Sequence, residues 1–377
     1  MGGFEMMNMT QLLSDKNLIL VCGSGGVGKT TIAASLALKG ASLGRKTIVL
    51  TIDPAKRLAT SLGLGELSGE AKRINEKKLS ALFGTPDPLC FAMMLDTKRT
   101  FDQLVAKYAP SKEIEKKILN NKIYRHLSDM IAGSQEYMAM EKLYELTTED
   151  KYDLIVIDTP PTTHAIDFLE APQKMIDAIG HSMIHLLLKP ALLAGKSGLK
   201  FFEKGSQMIL KIFDRITGFA FLQDISEMLI SFQELLGGFQ GRAEEIKKIL
   251  TQDETGFVLV SACEEKSVRE AQFFSEKLTE LNLPLAGIIL NRIHPLYQIK
   301  PEEKDENQKE LTSRVGAKLA AKMADCLDQF GPIARRDDNY RKELKRNLTE
   351  KQFLATIPLF ELDIHSLEGL HSLSLYL

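Results

Sequence analysis

Eight residues near the N-terminus have the types and spacing to handle phosphate. Gly23-Ser24-Gly25-Gly26-Val27-Gly28-Lys29-Thr30 fills the template G-x-x-x-x-G-K-[ST]. In such a loop, glycines let backbone N–H groups close around phosphate oxygens at a helix N-terminus. A lysine then bridges the β- and γ-phosphates, and a hydroxyl holds Mg²⁺. Here the cradle runs through Gly23, Gly25, Gly26, Val27 and Gly28, the lysine is Lys29 and the hydroxyl Thr30.

Gly23, Gly25 and Gly28 also satisfy the dinucleotide fingerprint G-x-G-x-x-G, which wants an acid about 20 positions on, at the end of the next strand. Asp53 ends the apolar run Thr47 to Ile52 and serves either reading. The dinucleotide reading gives Lys29-Thr30-Thr31 no task, because backbone already cradles a pyrophosphate there, so the phosphate-loop reading is preferred. A second acid supports it. Tyr152 to Asp158 (YDLIVID) reads as a buried strand ending in a carboxylate, the placement expected of the second Mg²⁺-associated acid in a phosphate-loop NTPase.

These groups need a parallel sheet to bring them together. Asn17 to Gly23 is a short apolar run, Thr31 to Leu43 carries small and apolar residues at helical spacing, and Lys46 to Ile52 reads as the next strand. The β-α-β unit places Asp53-Pro54-Ala55 at a strand's C-terminal end, where open α/β sheets bind ligands. Further strands are predicted at Phe91 to Leu95, Gly256 to Ser261, Leu285 to Leu290 and Phe353 to Ile357, with helices opening at Asp96 and spanning Glu264 to Leu281. Ser111 to Glu149 reads as two helices around Ala132-Gly133-Ser134, Pro301 to Arg346 as solvated surface helices, and Asp363 onward as a closing helix. The fold class is therefore α/β: a mostly parallel sheet flanked by helices, with residues 1–179 and 242–377 forming the nucleotide-binding domain.

Residues 180–241 differ in character. Ile209, Ile212, Phe213 and Ile216, then Ile225, Met228, Leu229, Phe232, Leu235 and Leu236, recur at spacings of three and four. They predict an inserted amphipathic helical subdomain. Core or dimer packing is its first explanation, ahead of a client-binding groove or lid, and a run of bases from Lys189 to Arg215 adds a weaker case for membrane-surface contact.

At 377 residues and net charge −2, the chain buries a full α/β core and exerts no long-range pull on nucleic acid. No apolar stretch of spanning length is present, and the N-terminus lacks a secretory pattern. Cys22, Cys90, Cys263 and Cys326 form no C-x-x-C pair. They are expected to be mainly buried thiols in a reducing cytoplasm.

GSGGVGKTT, TIDPA, MLDTKRTFD, VIDTPPTTH, the Asn291 strand end and TIPLFELD, in that order, resemble the ArsA-type ATPases, a family that includes the arsenite-pump ATPase and the tail-anchored-protein targeting ATPase. The chain is most similar to the single-copy bacterial branch. The resemblance implies ATP and Mg²⁺ as ligands, with Lys29, Thr30 and Thr31 on phosphates and metal. It further implies Asp53 as the carboxylate directing the attacking water, Asp158 acting through a Mg²⁺-bound water, Asn291 and Pro358 contacting adenine, and a homodimer. ATP is favoured over GTP because no [NT]-K-x-D motif is present.

Two departures qualify the resemblance. Where the family carries a second loop lysine that reaches the partner's phosphates, this chain has Ser24, and a trans-acting cation of that kind is worth on the order of 10³ to 10⁵ in turnover. Lys56 and Arg57 follow Asp53 closely and are candidates to replace it; their alternative is a solvated pair at a helix start. The C-x-x-C that holds zinc between targeting-ATPase protomers is also absent. The sequence thus predicts a Mg²⁺-dependent ATP hydrolase that couples nucleotide state to rearrangement of the hydrophobic helical region. The alternatives are a nucleotide-regulated chaperone or targeting factor for apolar helices of membrane-protein clients, and a metalloid-pump subunit.

Overall fold

The structure, a computed structural model, describes residues 8–53, 57–109, 111–121, 135–161, 168–171, 241–296 and 309–377. Lys56, the Ala132–Ser134 turn, the 162–164 end of the second acidic loop and all of the expected inserted subdomain except Gly241 lie outside these residues.

Eight strands form one sheet: β1 (Leu18–Gly23), β2 (Thr47–Thr51), β3 (Lys72–Arg73), β4 (Cys90–Met94), β5 (Leu154–Asp158), β6 (Thr255–Ala262), β7 (Leu285–Ile293) and β8 (Phe353–Pro358). Their order across the sheet is β3-β4-β2-β5-β1-β6-β7-β8. Every pairing is parallel except β3 on β4. β1 and β5 are buried throughout, as expected where helices cover both faces of a parallel sheet and strands read as continuous apolar runs.

Successive side chains of β1 serve opposite layers. Leu18, Leu20 and Cys22 join the core beneath helices Thr97–Tyr108, Gln135–Thr148 and Glu265–Glu280. Ile19 and Val21 join the core beneath helices Lys29–Ser42 and Leu367–Ser374. Helix 241–251 is tied to the first of these layers by Arg242, whose Nε lies 3.0 Å from both carboxylate oxygens of buried Glu141. No helix among the described residues is long and apolar enough to cross a membrane.

Most expected elements are present, with shifted ends. Helix Met9–Asp15 was not anticipated, although Asn8 and Gln11 form a reciprocal capping box at its start. β3, two charged and exposed residues, carries no apolar signal to read. The expected solvated helices after Pro301 contain one 30-residue helix, Ala317–Arg346. It is not simply a solvated surface: Asp337 is fully buried, accepting from the His294 backbone at 3.0 Å and lying 2.8 Å from His294 Nδ1. The closing helix begins only at Leu367, capped by Ser366, and Asp363 to His365 are left as a loop. Cys22, Cys90 and Cys263 are buried as expected, and Cys326 is exposed.

Candidate nucleotide site

β1 ends at the centre of the sheet, between β5 and β6, and the glycine-rich loop turns there into helix Lys29–Ser42. Gly23 starts the turn in close contact with the neighbouring strand: a methyl group in its place would lie 2.2 Å from the Val260 carbonyl oxygen. Gly28 has φ +98°, and a methyl group there would lie 2.6 Å from Asn291 Nδ2. Both positions therefore exclude a side chain, one by proximity and the other also by backbone conformation.

The loop opens onto a cleft of about 700 Å³, within the roughly 300–1,000 Å³ usual for ligand sites. Gly25, Gly26, Gly28, Lys29, Thr30 and Thr31 line one side of it. Asp53, Arg57 and Asp158 come in from the ends of β2 and β5. Gly23, Val27, Asn291 and Pro358 are not on its wall: Val27 and Asn291 sit behind the loop, where Asn291 Nδ2 donates to the Val27 carbonyl at 2.8 Å. The Asn291 Oδ1 accepts from the Arg292 backbone at 3.0 Å, leaving the amide one N–H and one lone pair for a further partner. Pro358 ends β8 and pairs with Ile293.

Thr30 Oγ1 donates to Asp158 Oδ2 at 2.7 Å, and Thr51 Oγ1 donates to the same oxygen at 2.9 Å. The other oxygen, Asp158 Oδ1, is buried with no hydrogen-bond partner among the described residues. A buried carboxylate oxygen without a donor is costly to maintain, and oxygen donors of this kind suit a hard divalent cation or its bound water. Together with the Thr30 hydroxyl, the donor set fits Mg²⁺. Burial pushes the Asp158 carboxyl up to about 6, against the pull of the Thr30 and Thr51 hydroxyls and of Lys29. Burial likewise holds Lys29 below its ordinary value, with Asp158 opposing. Lys29 Nζ donates to the Ser24 carbonyl at 2.9 Å.

Ser24 does not face the cleft. Its hydroxyl lies 3.2 Å from that of Ser267, on helix Glu265–Glu280, so the position where the resemblance expects a lysine is turned toward that helix. Among the described residues, Lys29, Arg57 and Arg292 bring positive charge to the cleft wall, and the His365 ring also lines it.

The roles of four residues escaped the sequence reading. Thr51 is the strand residue before Ile52-Asp53, and its inward hydroxyl was hidden in an apolar run. Arg292 reaches the wall because the register shifts between Leu290 and Ile293 and its own φ is +59°; such bulges re-aim side chains. Asp363, the last residue of the TIPLFELD stretch that sequence had marked, and His365 just beyond it enter through the loop before the last helix.

Residues 16–333 match the family described as anion-transporting ATPase. The chain is 26% identical over 288 residues to the "ATPase ASNA1 homolog" of Plasmodium vivax, a match covering 76% of this chain and 66% of that protein. A Plasmodium chabaudi chabaudi protein of the same name is 25% identical over 384 residues, covering 98% and 90%. "ATPase get3" of Aspergillus terreus is 26% identical over 294 residues, covering 76% of each.

Proposed function

This chain belongs to the anion-transporting, or ArsA-type, ATPase family, and from that premise we propose that it is a Mg²⁺-dependent ATP hydrolase whose phosphate loop and two strand-end acids form the working site. The observation that carries this reading is the Thr30–Asp158 pair with its unsatisfied, buried Oδ1 beneath the loop. Bound there, Mg²⁺ would neutralise charge on the transferring phosphoryl group. The protein's own residues do the remaining work. Gly25 to Gly28 present backbone N–H groups to the phosphates, and Lys29 trades its Ser24 carbonyl for phosphate oxygens. Thr30 and Asp158 would hold the metal and its water, Thr31 would bind phosphate, and Asp53, on the cleft wall, orients the attacking water. Phosphoryl transfer asks for position and charge more than covalent help. Asn291 and Pro358 are assigned to adenine, Asn291 through the amide valences that Val27 and Arg292 leave open.

The test separates binding from chemistry. Asp53→Asn retains ATP affinity and loses hydrolysis; parallel loss of both would remove Asp53 from the water-directing role. A second reading, a nucleotide-regulated carrier for apolar helices, rests on the amphipathic pattern of 180–241 and is tested by nucleotide-sensitive capture of a hydrophobic peptide. A metalloid-pump role has less support: three of the four cysteines are buried in separate places and the fourth is exposed, and no cluster of His, Cys, Asp and Glu able to hold a metal occurs among the described residues.

A further inference from the structure

Arg292 has a backbone that an arginine does not favour. Its φ is +59°, in the left-handed region where a Cβ is strained and glycine is the usual occupant. Its side chain is exposed and makes no hydrogen bond or ion pair with another described residue. Strain of this kind persists only where the surroundings over-determine it, and it concentrates at ligand sites.

The residues from Asn291 to His294 are pinned one after another. Asn291 Nδ2 donates to the Val27 carbonyl at 2.8 Å, and Asn291 Oδ1 accepts from the Arg292 backbone at 3.0 Å. The Ile293 carbonyl accepts from the Leu359 backbone at 3.0 Å. His294 is held twice by Asp337 Oδ2, through its backbone N–H at 3.0 Å and its Nδ1 at 2.8 Å. An ionised carboxylate only accepts, so the ring donates from Nδ1. Asp337 is fully buried, and its Oδ1 accepts from Arg336 Nη2 at 3.0 Å. With both carboxylate oxygens engaged, the Asp337–His294 pair fixes the end of β7 on which Arg292 is presented.

The sheet order says which part of a nucleotide Arg292 meets. Asp53 follows β2 and Asp158 ends β5, on one side of β1; Arg292 is on β7, two strands beyond β1 on the other. All three line one cleft. A nucleotide seated on the glycine loop, with its transferring phosphoryl group at the two acids, extends its nucleoside toward β7. Away from the phosphates, the planar guanidinium of an arginine finds its partner in an aromatic face.

Resting on the nucleotide reading above, we infer that Arg292 is a nucleobase-binding residue whose guanidinium lies against the face of the base, and that Asp337 and His294 are the positioning residues that hold it there. A stack on the ring face does not read the base edge, so Arg292 adds affinity for purine nucleotides as a class.

The experiment is equilibrium binding of ATP and of inorganic tripolyphosphate, each with Mg²⁺, to the full chain. The wild type binds both. Arg292→Ala weakens ATP by roughly fivefold or more, the scale of a cation over an aromatic ring, and leaves tripolyphosphate unchanged. Arg292→Gly, which accepts the left-handed backbone, melts no lower than the wild type yet binds ATP as weakly as Arg292→Ala. His294→Ala reproduces part of the ATP-selective loss, and His294→Asn, whose side-chain amide donates to Asp337 in place of Nδ1, recovers it. Equal weakening of ATP and tripolyphosphate by Arg292→Ala would make Arg292 a phosphate ligand. Undiminished ATP affinity in Arg292→Gly would mean that the strain serves the backbone alone, and a His294→Ala loss that His294→Asn fails to recover would remove the positioning role. Each of these overturns the inference and leaves the hydrolase reading standing, whereas a wild type that binds neither ligand overturns both.

Discussion

Thr30 Oγ1 and Asp158 Oδ2 are 2.7 Å apart although 128 positions separate them in the chain. The loop hydroxyl and the strand-end carboxylate are therefore assembled by the fold itself. Thr51 completes the arrangement from the neighbouring strand β2. Both hydroxyls point at one oxygen, and the cost of burying this acid falls on the other.

That cost is measurable as a pH dependence. An acid whose folded-state value is raised, from 3.8 to about 6, favours folding below its unfolded value and loses that stabilisation as pH rises toward its folded one. The shift corresponds to about 3 kcal/mol at 1.36 kcal/mol per unit. Denaturant unfolding of the metal-free protein between pH 4 and 6.5, read as a difference from Asp158→Asn, shows a decline of that order. At pH 7 the Asp158→Asn protein is the more stable of the two. A flat difference would mean that Asp158 is not held above its ordinary value.

If Asp158 holds Mg²⁺ as proposed, the same group governs metal affinity. Below about pH 6 the protonated carboxyl competes with Mg²⁺, since ligands bind metals in their deprotonated form. Calorimetry of Mg²⁺–nucleotide binding near pH 5.5, in two buffers of different ionisation enthalpy, shows proton release that Asp158→Asn abolishes. Release of equal size in both proteins would place the titrating group elsewhere.

Gly28→Ala carries two separable penalties. Its positive φ costs roughly 1–2 kcal/mol for a residue with a Cβ, and the new methyl meets Asn291 Nδ2 at 2.6 Å. Thermal unfolding registers both, and ATP affinity falls by more than tenfold. Adding Asn291→Ala recovers only the contact part, so the double variant is more stable than Gly28→Ala with Asn291→Ala merely added. Strict additivity of the two substitutions would rule out the contact.

Arg57, a candidate for the charge missing at Ser24, lines the cleft with Asp53. Arg57→Ala lowers kcat by at least about tenfold with little change in ATP affinity, and Arg57→Lys recovers part of the rate because a compact ammonium lacks the guanidinium's fork. Steady-state turnover beside equilibrium nucleotide binding distinguishes this from a solvated surface residue, whose removal changes neither.

The glycine loop, Asp53, Asp158 and the strands beneath them were legible because each chemistry-bearing residue terminates an apolar run, and a run covered on both faces hides no periodicity. Asn291 was found by resemblance, but its anchoring to Val27 behind the loop could not be read from either segment alone. Thr51 and Arg292 were missed for a related reason. A hydroxyl inside a buried strand and an arginine re-aimed by a register shift gain their positions from pairing with distant segments, which local pattern does not carry. The 317–346 helix was legible as a solvated helix, and most of it is exposed; what sequence did not show is the buried set on it. Its fully buried Asp337 depends on His294, 43 positions earlier.

The bond from Lys29 to the Ser24 carbonyl gives the loop an internal rival for its own ligand. An oxygen tethered five residues away is present at a far higher local concentration than any dissolved anion, so a single phosphate has little leverage against it. A polyphosphate can offer the lysine several oxygens while its other groups are held by the loop, and so displaces the carbonyl cooperatively. Under the proposed function the loop would therefore favour polyphosphates, whose contacts arrive together, over a lone phosphate ion.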